Sequence, residues 1–335
     1  MTDQRQQRGD PDLGRTIATV PRRRSEIETV HRTDESPTDG RAPGSQRRRS
    51  PLRAPWWFLV PAVAMYVFVV VWPSLRGGFY AFTDWNGLSG DWQLVGFENF
   101  AEVFDDRRAL SALKNTVLLA FVVTVVQNAL GLGLAVALNG ALKSRSVLRV
   151  LFFAPVVLTP LVSGYIWSFL LAPTGPLNTL LSTVGLESWR QDWLGNPSTA
   201  LWAVCAAIIW QFTGYSMVIF LAGLQAIPEE INEAAAMDGA GPWRRFVSVT
   251  LPLINGSIVI NVMLSLIGGL KQFDQVMAMT GGGPGIATET ISTTIYKGAF
   301  SSGEYPVSIA LAVVMTILIA VIASIQYRMT ARKVT

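Results

Sequence analysis

The chain has 335 residues, half of them apolar, only 15% charged, with a formal net charge of +4 at pH 7. Ordinary soluble proteins carry about 25% charged residues, so this balance argues against a large water-soluble core and for apolar runs that lie in lipid. The single cysteine, Cys205, falls in an apolar run and the single histidine, His31, in a polar one, which leaves no disulfide framework and no basis for a thiolate metal site or a histidine-centred catalytic group.

Residues 1–50 mix Arg, Asp, Glu, Gln, Pro, Gly and Ser without apolar periodicity. Such a segment cannot bury enough surface to offset its ordering entropy, and a disordered cytoplasmic tail is expected. Its two arginine triplets, Arg22 to Arg24 and Arg47 to Arg49, are interspersed with acids, which argues against nucleic-acid binding. The apolar run that follows is too long for an export signal and has no A-x-A cleavage site at its far end. Retention of the tail in the cytosol is the simplest account. Arg47, Arg48, Arg49 and Arg53 then stand beside the membrane, where each contributes about 1 kcal/mol toward anionic lipid.

Six apolar stretches come next, near 55–75, 112–138, 147–172, 200–226, 251–279 and 306–328. Each approaches the ~20 residues that cross a bilayer. The expected fold class is an all-α polytopic membrane protein with six transmembrane helices, occupying residues 55–332 as one transmembrane domain. Lysine and arginine set the orientation. With both termini inside, the inner segments hold thirteen such residues, among them Lys143, Arg145, Arg244 and Arg245, and the outer segments six.

The first outer loop carries Trp85, Trp92 and Val95-Gly96-Phe97-Glu98-Asn99-Phe100, and the second carries Gly175-Pro176-Leu177-Asn178. Aromatic residues at this depth commonly anchor the membrane interface. In the second stretch Asn115, Thr116, Thr124, Gln127 and Asn128, with Gly131 and Gly133, read as helix packing. The fourth stretch has Trp210, Gln211 and Tyr215, the last two spaced to share a helix face. The fifth has Asn261, Lys271, Gln272 and Asp274. Lys271 can snorkel and pair with Asp274 three residues on, and that pairing competes evenly with a role in contacting cargo. Amides, a lysine, a carboxylate and aromatic rings together suit a polyhydroxylated molecule, so Trp210, Gln211, Tyr215, Asn261, Lys271, Gln272 and Asp274 form a candidate substrate path. The same set would also suit an amide-rich helix interface.

Between the fourth and fifth stretches lies a polar loop over 227–252. Pro228 suits a first helical position, and Glu229 and Glu230 place negative charge where the helix dipole favours it. Asp238-Gly239-Ala240-Gly241-Pro242 breaks the helix, with Gly239 free to take positive φ and Pro242 starting a second helix. A plain cytosolic hairpin accounts for the composition. The order of residues adds more: Glu233-Ala234-Ala235, Asp238-Gly239-Ala240, Phe246 and Leu251-Pro252 resemble the EAA loop of ABC importer membrane subunits. Further on, Lys271-x-Phe273-Asp274, Thr280-Gly281-Gly282-Gly283-Pro284, Thr288, Tyr296 and Phe300 resemble carbohydrate ABC importer permeases of the maltose and glycerol-3-phosphate type. The two outer-loop motifs also resemble stretches of sugar-type permeases, and are candidates for contact with an external binding protein. The Glu304-Tyr305-Pro306 step departs from that pattern.

The resemblance implies a permease that pairs with a second permease, two ATP-binding subunits and an extracellular sugar-binding protein in the plasma (inner) membrane. It implies that Glu233, Ala234, Ala235, Asp238, Gly239, Ala240, Arg244 and Phe246 couple the chain to the ATPase. No phosphate loop of the form G-x-x-x-x-G-K-[ST] occurs here, so ATP is expected on the partner and no cofactor on this chain. An ion-gradient-driven transporter or channel is the alternative, with Asp274 its best carboxylate on the path. A membrane-embedded enzyme lacks a nucleophile–base or metal constellation.

Overall fold

The computed structural model describes residues 56–88, 90–140 and 142–331. The polar tail, its arginine triplets and the basic C-terminal residues Arg332 and Lys333 lie outside the described residues. Four helices are long and apolar enough to cross a membrane: α1 (Trp57–Tyr80), α3 (Arg107–Asn139), α7 (Ala200–Gln225) and α13 (Tyr305–Ala331). Between α1 and α3 lies the short α2 (Glu98–Asp105). Two bent helix pairs are each, taken together, long and apolar enough for a further span: α4 (Arg145–Val157) with α5 (Pro160–Leu170) at 99°, and α9 (Pro242–Leu253) with α10 (Asn255–Leu270) at 70°. The remaining helices are α6 (Pro176–Thr183), α8 (Glu229–Met237), α11 (Asp274–Met279) and α12 (Ile291–Lys297). Among the described residues no β-strand forms beyond one isolated bridge, Thr83 to Leu94.

Three sequence expectations change here. The stretch 147–172 is not one rod: Leu158 and Thr159 take extended backbone before Pro160, which cannot donate to the ladder. The fifth span ends at Leu270 rather than 279, because the chain breaks over Lys271 to Phe273 before α11 begins. Pro228 sits just ahead of α8, at ψ 139°, rather than inside its first turn.

α7 is the axis of the molecule, with 61% of its most apolar window buried, against none for α1. Small residues let its neighbours approach. A Cβ on Gly131 of α3 would lie 2.5 Å from Cβ of Ser216, and one on Gly214 of α7 would lie 2.0 Å from the Phe152 carbonyl oxygen of α4. Amides fasten the same seams. Gln127 donates to Ser216 Oγ at 2.8 Å; Asn128 donates to Ser265 Oγ at 2.8 Å and accepts from Asn261 at 2.9 Å. In lipid such bonds contribute about 0.6 kcal/mol each, so close packing carries more of the association than any one of them.

Outside this bundle, two motif asparagines are loop clamps. Asn99 donates to the carbonyls of Ala81 and Thr83 at 2.8 and 2.9 Å. Asn178 donates to three carbonyls, of Ala172, Pro173 and Gln191, and accepts from Trp193 Nε1 at 3.0 Å.

Candidate functional site

A cavity of about 440 Å³ opens between α3, the α4–α5 break, α7 and α10. Ile208, Phe212 and Tyr215 form its α7 wall, spaced four and three residues apart so that one helix face is presented. Ser265, Gly268 and Gly269 bring α10 against it, and Lys271, Gln272, Phe273 and Asp274 close it where α10 unwinds. The unwinding matters chemically: four consecutive side chains converge on one cavity only because the backbone there is not helical.

Four of the seven path residues expected from sequence, Tyr215, Lys271, Gln272 and Asp274, line this cavity. Lys271 and Asp274 are both exposed to it. They do not pair with one another, since the i,i+3 relation needs a continuous helix and α10 stops at Leu270. The two ion pairs among the described residues instead converge on Glu289. Gln211 is fully buried behind the wall, donating to the Leu158 carbonyl at 2.8 Å. Asn261 is fully buried in the seam between α10 and α3. Trp210 faces away, lining a separate apolar cavity of about 970 Å³ with Leu134 and Phe152, and standing edge-on to Trp167.

Two residues that sequence reading did not single out, Glu289 and Gln275, organise the segment that follows α10. Glu289, 1% exposed, accepts from Arg108 Nε and Nη2, both at 2.6 Å, and from Lys297 Nζ at 2.9 Å. Burial alone would raise its carboxyl, but hydrogen bonds from Arg108 and Lys297 outweigh that and hold it below the usual glutamate value. Asn115 donates to the carbonyls of Ile286, Ala287 and Glu289, so the glycine-rich turn is bolted to α3. Gln275 is fully buried and bonds both Gln211 and Gln272. Its signal in the sequence was an amide beside the Lys271–Asp274 cluster.

At the other end of the bundle α8 and the start of α9 form a hairpin. Gly239, at φ 76°, donates to the Ala236 carbonyl, and Ala240 donates to that of Ala235 at 3.1 Å. This is the double cap that ends a helix on a left-handed residue. Glu233, Ala234, Asp238, Gly239 and Arg244 are exposed, while Ala235, Ala240 and Phe246 are partly covered. Phe246 turns toward the ends of α3 and α7, lining a small recess with Val136, Asn232 and Arg245. Met237 and Trp243 stand out into solvent at 89% and 77% exposure.

Residues 127–335 match the family model of the binding-protein-dependent transport system inner membrane component. The chain belongs to this family. It is a permease of a binding-protein-dependent ABC importer, an inner-membrane transport subunit and not an enzyme, which displaces the ion-gradient alternative. Among the relatives of this permease is a probable starch degradation products transport system permease of Thermoanaerobacterium thermosulfurigenes. It is 33% identical, over 83% of this chain and 94% of the relative. A multiple sugar-binding transport system permease of Streptococcus mutans is 33% identical over 83% and 95%. A trehalose/maltose transport system permease of Thermococcus litoralis is 34% identical over 67% and 76%. The fold matches a chain of a bacterial ABC transporter involved in alginate import, with a TM-score of 0.73 at 22% identity, over 83% of this chain and 94% of that one.

Proposed function

We propose that this permease carries a sugar through the cavity walled by Tyr215, Lys271, Gln272 and Asp274. The observation that carries the reading is the composition of that wall. Aromatic faces of Phe212, Tyr215 and Phe273 stand beside an amide, an ammonium and a carboxylate. Flat apolar surface with scattered hydrogen-bonding groups fits a neutral polyol, and the two opposite charges leave no net demand for a charged cargo. The sugar names of the relatives support the same class.

The proposed assembly is one importer of this chain, a second permease, two ATP-binding subunits and an extracellular binding protein. Residues 55–332 form its transmembrane domain, with the hairpin over 227–252 and both termini in the cytoplasm. ATP, bound by the partner, supplies the energy; Glu233, Ala234, Ala235, Asp238, Gly239, Ala240, Arg244 and Phe246 receive the motion. The connectivity favours such coupling. α7 runs from the Tyr215 wall into the hairpin with only Ala226 to Pro228 between, and α9–α10 returns from it to Gly268 and Lys271. A displacement of the hairpin is therefore delivered to two cavity walls at once, as alternating access requires.

The test is uptake by the reconstituted importer with its binding protein and ATP. Tyr215→Ala and Lys271→Ala are expected to raise KM for the carried sugar several-fold while the complex stays assembled. Sugar uptake that needs neither ATP nor a partner subunit, or that is indifferent to both substitutions, would sink the reading.

A further inference from the structure

Behind the cavity wall runs a chain of three side-chain amides with a fixed polarity. It starts at the break between α4 and α5. Within a helix the Leu158 carbonyl would accept from the Val162 N–H, but that donor is taken by Thr159 Oγ1 at 3.4 Å. The orphaned carbonyl accepts from Gln211 Nε2 at 2.8 Å instead. A carbonyl can only accept, so Gln211 has to turn its NH₂ group toward Leu158 and its Oε1 the other way. That oxygen accepts from Gln275 Nε2 at 2.5 Å. Gln275 Oε1 is then the atom left to accept from Gln272 Nε2.

Each link removes the freedom of the next. Gln211 and Gln275 are both fully buried, and a buried amide facing the wrong way would set oxygen against oxygen. Gln272 is held from its other side as well, its backbone carbonyl accepting from Thr290 Oγ1 at 3.0 Å. α5 packs against Gln275 so closely that a Cβ on Gly164 would lie 3.3 Å from its Cα. The end of the chain is the cavity, which Gln272 lines and where its Oε1, with no hydrogen-bond partner among the described residues, remains as an acceptor. A Gln272 amide turned the other way would offer only N–H donors there.

Resting on the reading of this cavity as a sugar path, we propose that Gln275 and Gln211 are positioning residues for cargo selection. Anchored on the Leu158 carbonyl, they fix Gln272 so that the cavity presents an acceptor and selects a cargo hydroxyl that donates. Neither residue touches cargo. A hydroxyl replaced by fluorine keeps its size and can still accept, but it can no longer donate, so the fixed acceptor rejects it.

The experiment measures uptake by the assembled importer of glucose, maltose and trehalose and of their single-position deoxyfluoro analogues. Parent, Gln275→Met and Gln211→Met complexes are compared; methionine keeps the volume of glutamine and removes the amide. If the parent carries none of the three, the same comparison is run on the sugar found by screening mono-, di- and oligosaccharides, and uptake of no sugar in that screen overturns the sugar-path reading and this inference with it. For a sugar that is carried, the parent is expected to favour the hydroxyl compound over at least one fluoro analogue by about tenfold in kcat/KM, the worth of one hydrogen bond. Both variants are expected to reduce that preference to about twofold or less while still transporting, because the released Gln272 amide can turn and donate. A parent with no hydroxyl preference, or a preference unchanged in either variant, overturns the inference and leaves the sugar path standing. Loss of all uptake in both variants, with the complexes intact in the membrane, also overturns it, since the amides would then hold the fold rather than select the cargo.

Discussion

Glu289 shows how much a single side chain can organise in the segment between α11 and α12 of this permease. It ties the glycine-rich turn to the start of α3 through Arg108 and to α12 through Lys297. Its folded-state value lies below the ordinary one, so its stabilisation is complete above about pH 4.3 and is lost as pH falls through the folded value. The melting midpoint of the wild-type complex should therefore drop on acidification below about pH 4. Glu289→Gln should cost about 1–3 kcal/mol near neutrality and flatten that acid limb. An acid limb identical in both proteins would remove Glu289 from this role. Glycine contacts make a second residue-scale case. Gly131→Ala puts a methyl group 2.5 Å from Ser216 Cβ and should destabilise by about 1–3 kcal/mol, whereas the Cβ of Gly133→Ala meets nothing within 4 Å. Thermal unfolding of the two variants should separate them clearly.

Among the elements, the hairpin and the broken helices have opposite origins. The hairpin is local chemistry. Helix formers over Glu233 to Ala236, a left-handed Gly239 and a helix-starting Pro242 specify it without help from the bundle. Gly239→Ala meets no neighbour, so its whole cost, about 1–2 kcal/mol, is the left-handed backbone. It is expected to impair uptake strongly while membrane insertion stays normal, and Gly239→Asn to keep more activity because Asn tolerates that conformation. Equal transport in wild type and Gly239→Ala would show that the turn angle does not matter. The α4–α5 break is local in cause, since Pro160 supplies it, but its 99° angle is held from outside by Gln211 on the Leu158 carbonyl. The end of α10 at Leu270 has no comparable breaker, which is why the sequence favours a longer span.

In the molecule as a whole, burial falls from the centre outward. Phe220 of α7 is 1% exposed, while Phe68 of α1 is 74% exposed. Phe220→Ala should destabilise the subunit by about 3–5 kcal/mol, and Phe68→Ala by less than about 0.5 kcal/mol. Comparable losses in denaturation of the isolated subunit would mean that α1 folds back on the core. The exposed α1 face and the bare Met237 and Trp243 put exposed apolar side chains at two separate places, the first span and the hairpin.

Sequence by itself determined the class, the apolar stretches, the charge asymmetry and the hairpin, because each is written in composition or in residues a few positions apart. The EAA-type order even named the family. It also placed Tyr215, Lys271, Gln272 and Asp274 in one candidate set. What only the tertiary structure decided is which polar residues face the cavity and which lie behind it. Gln211 and Tyr215 differ by one helical turn, yet one is sealed under the α4–α5 break and the other is open. Glu289 finds Arg108 across 181 positions, and Gln275 finds Gln211 across 64. Periodicity fixes the face of a helix but not what stands opposite it, and for an amide in a membrane protein the opposite partner sets its role.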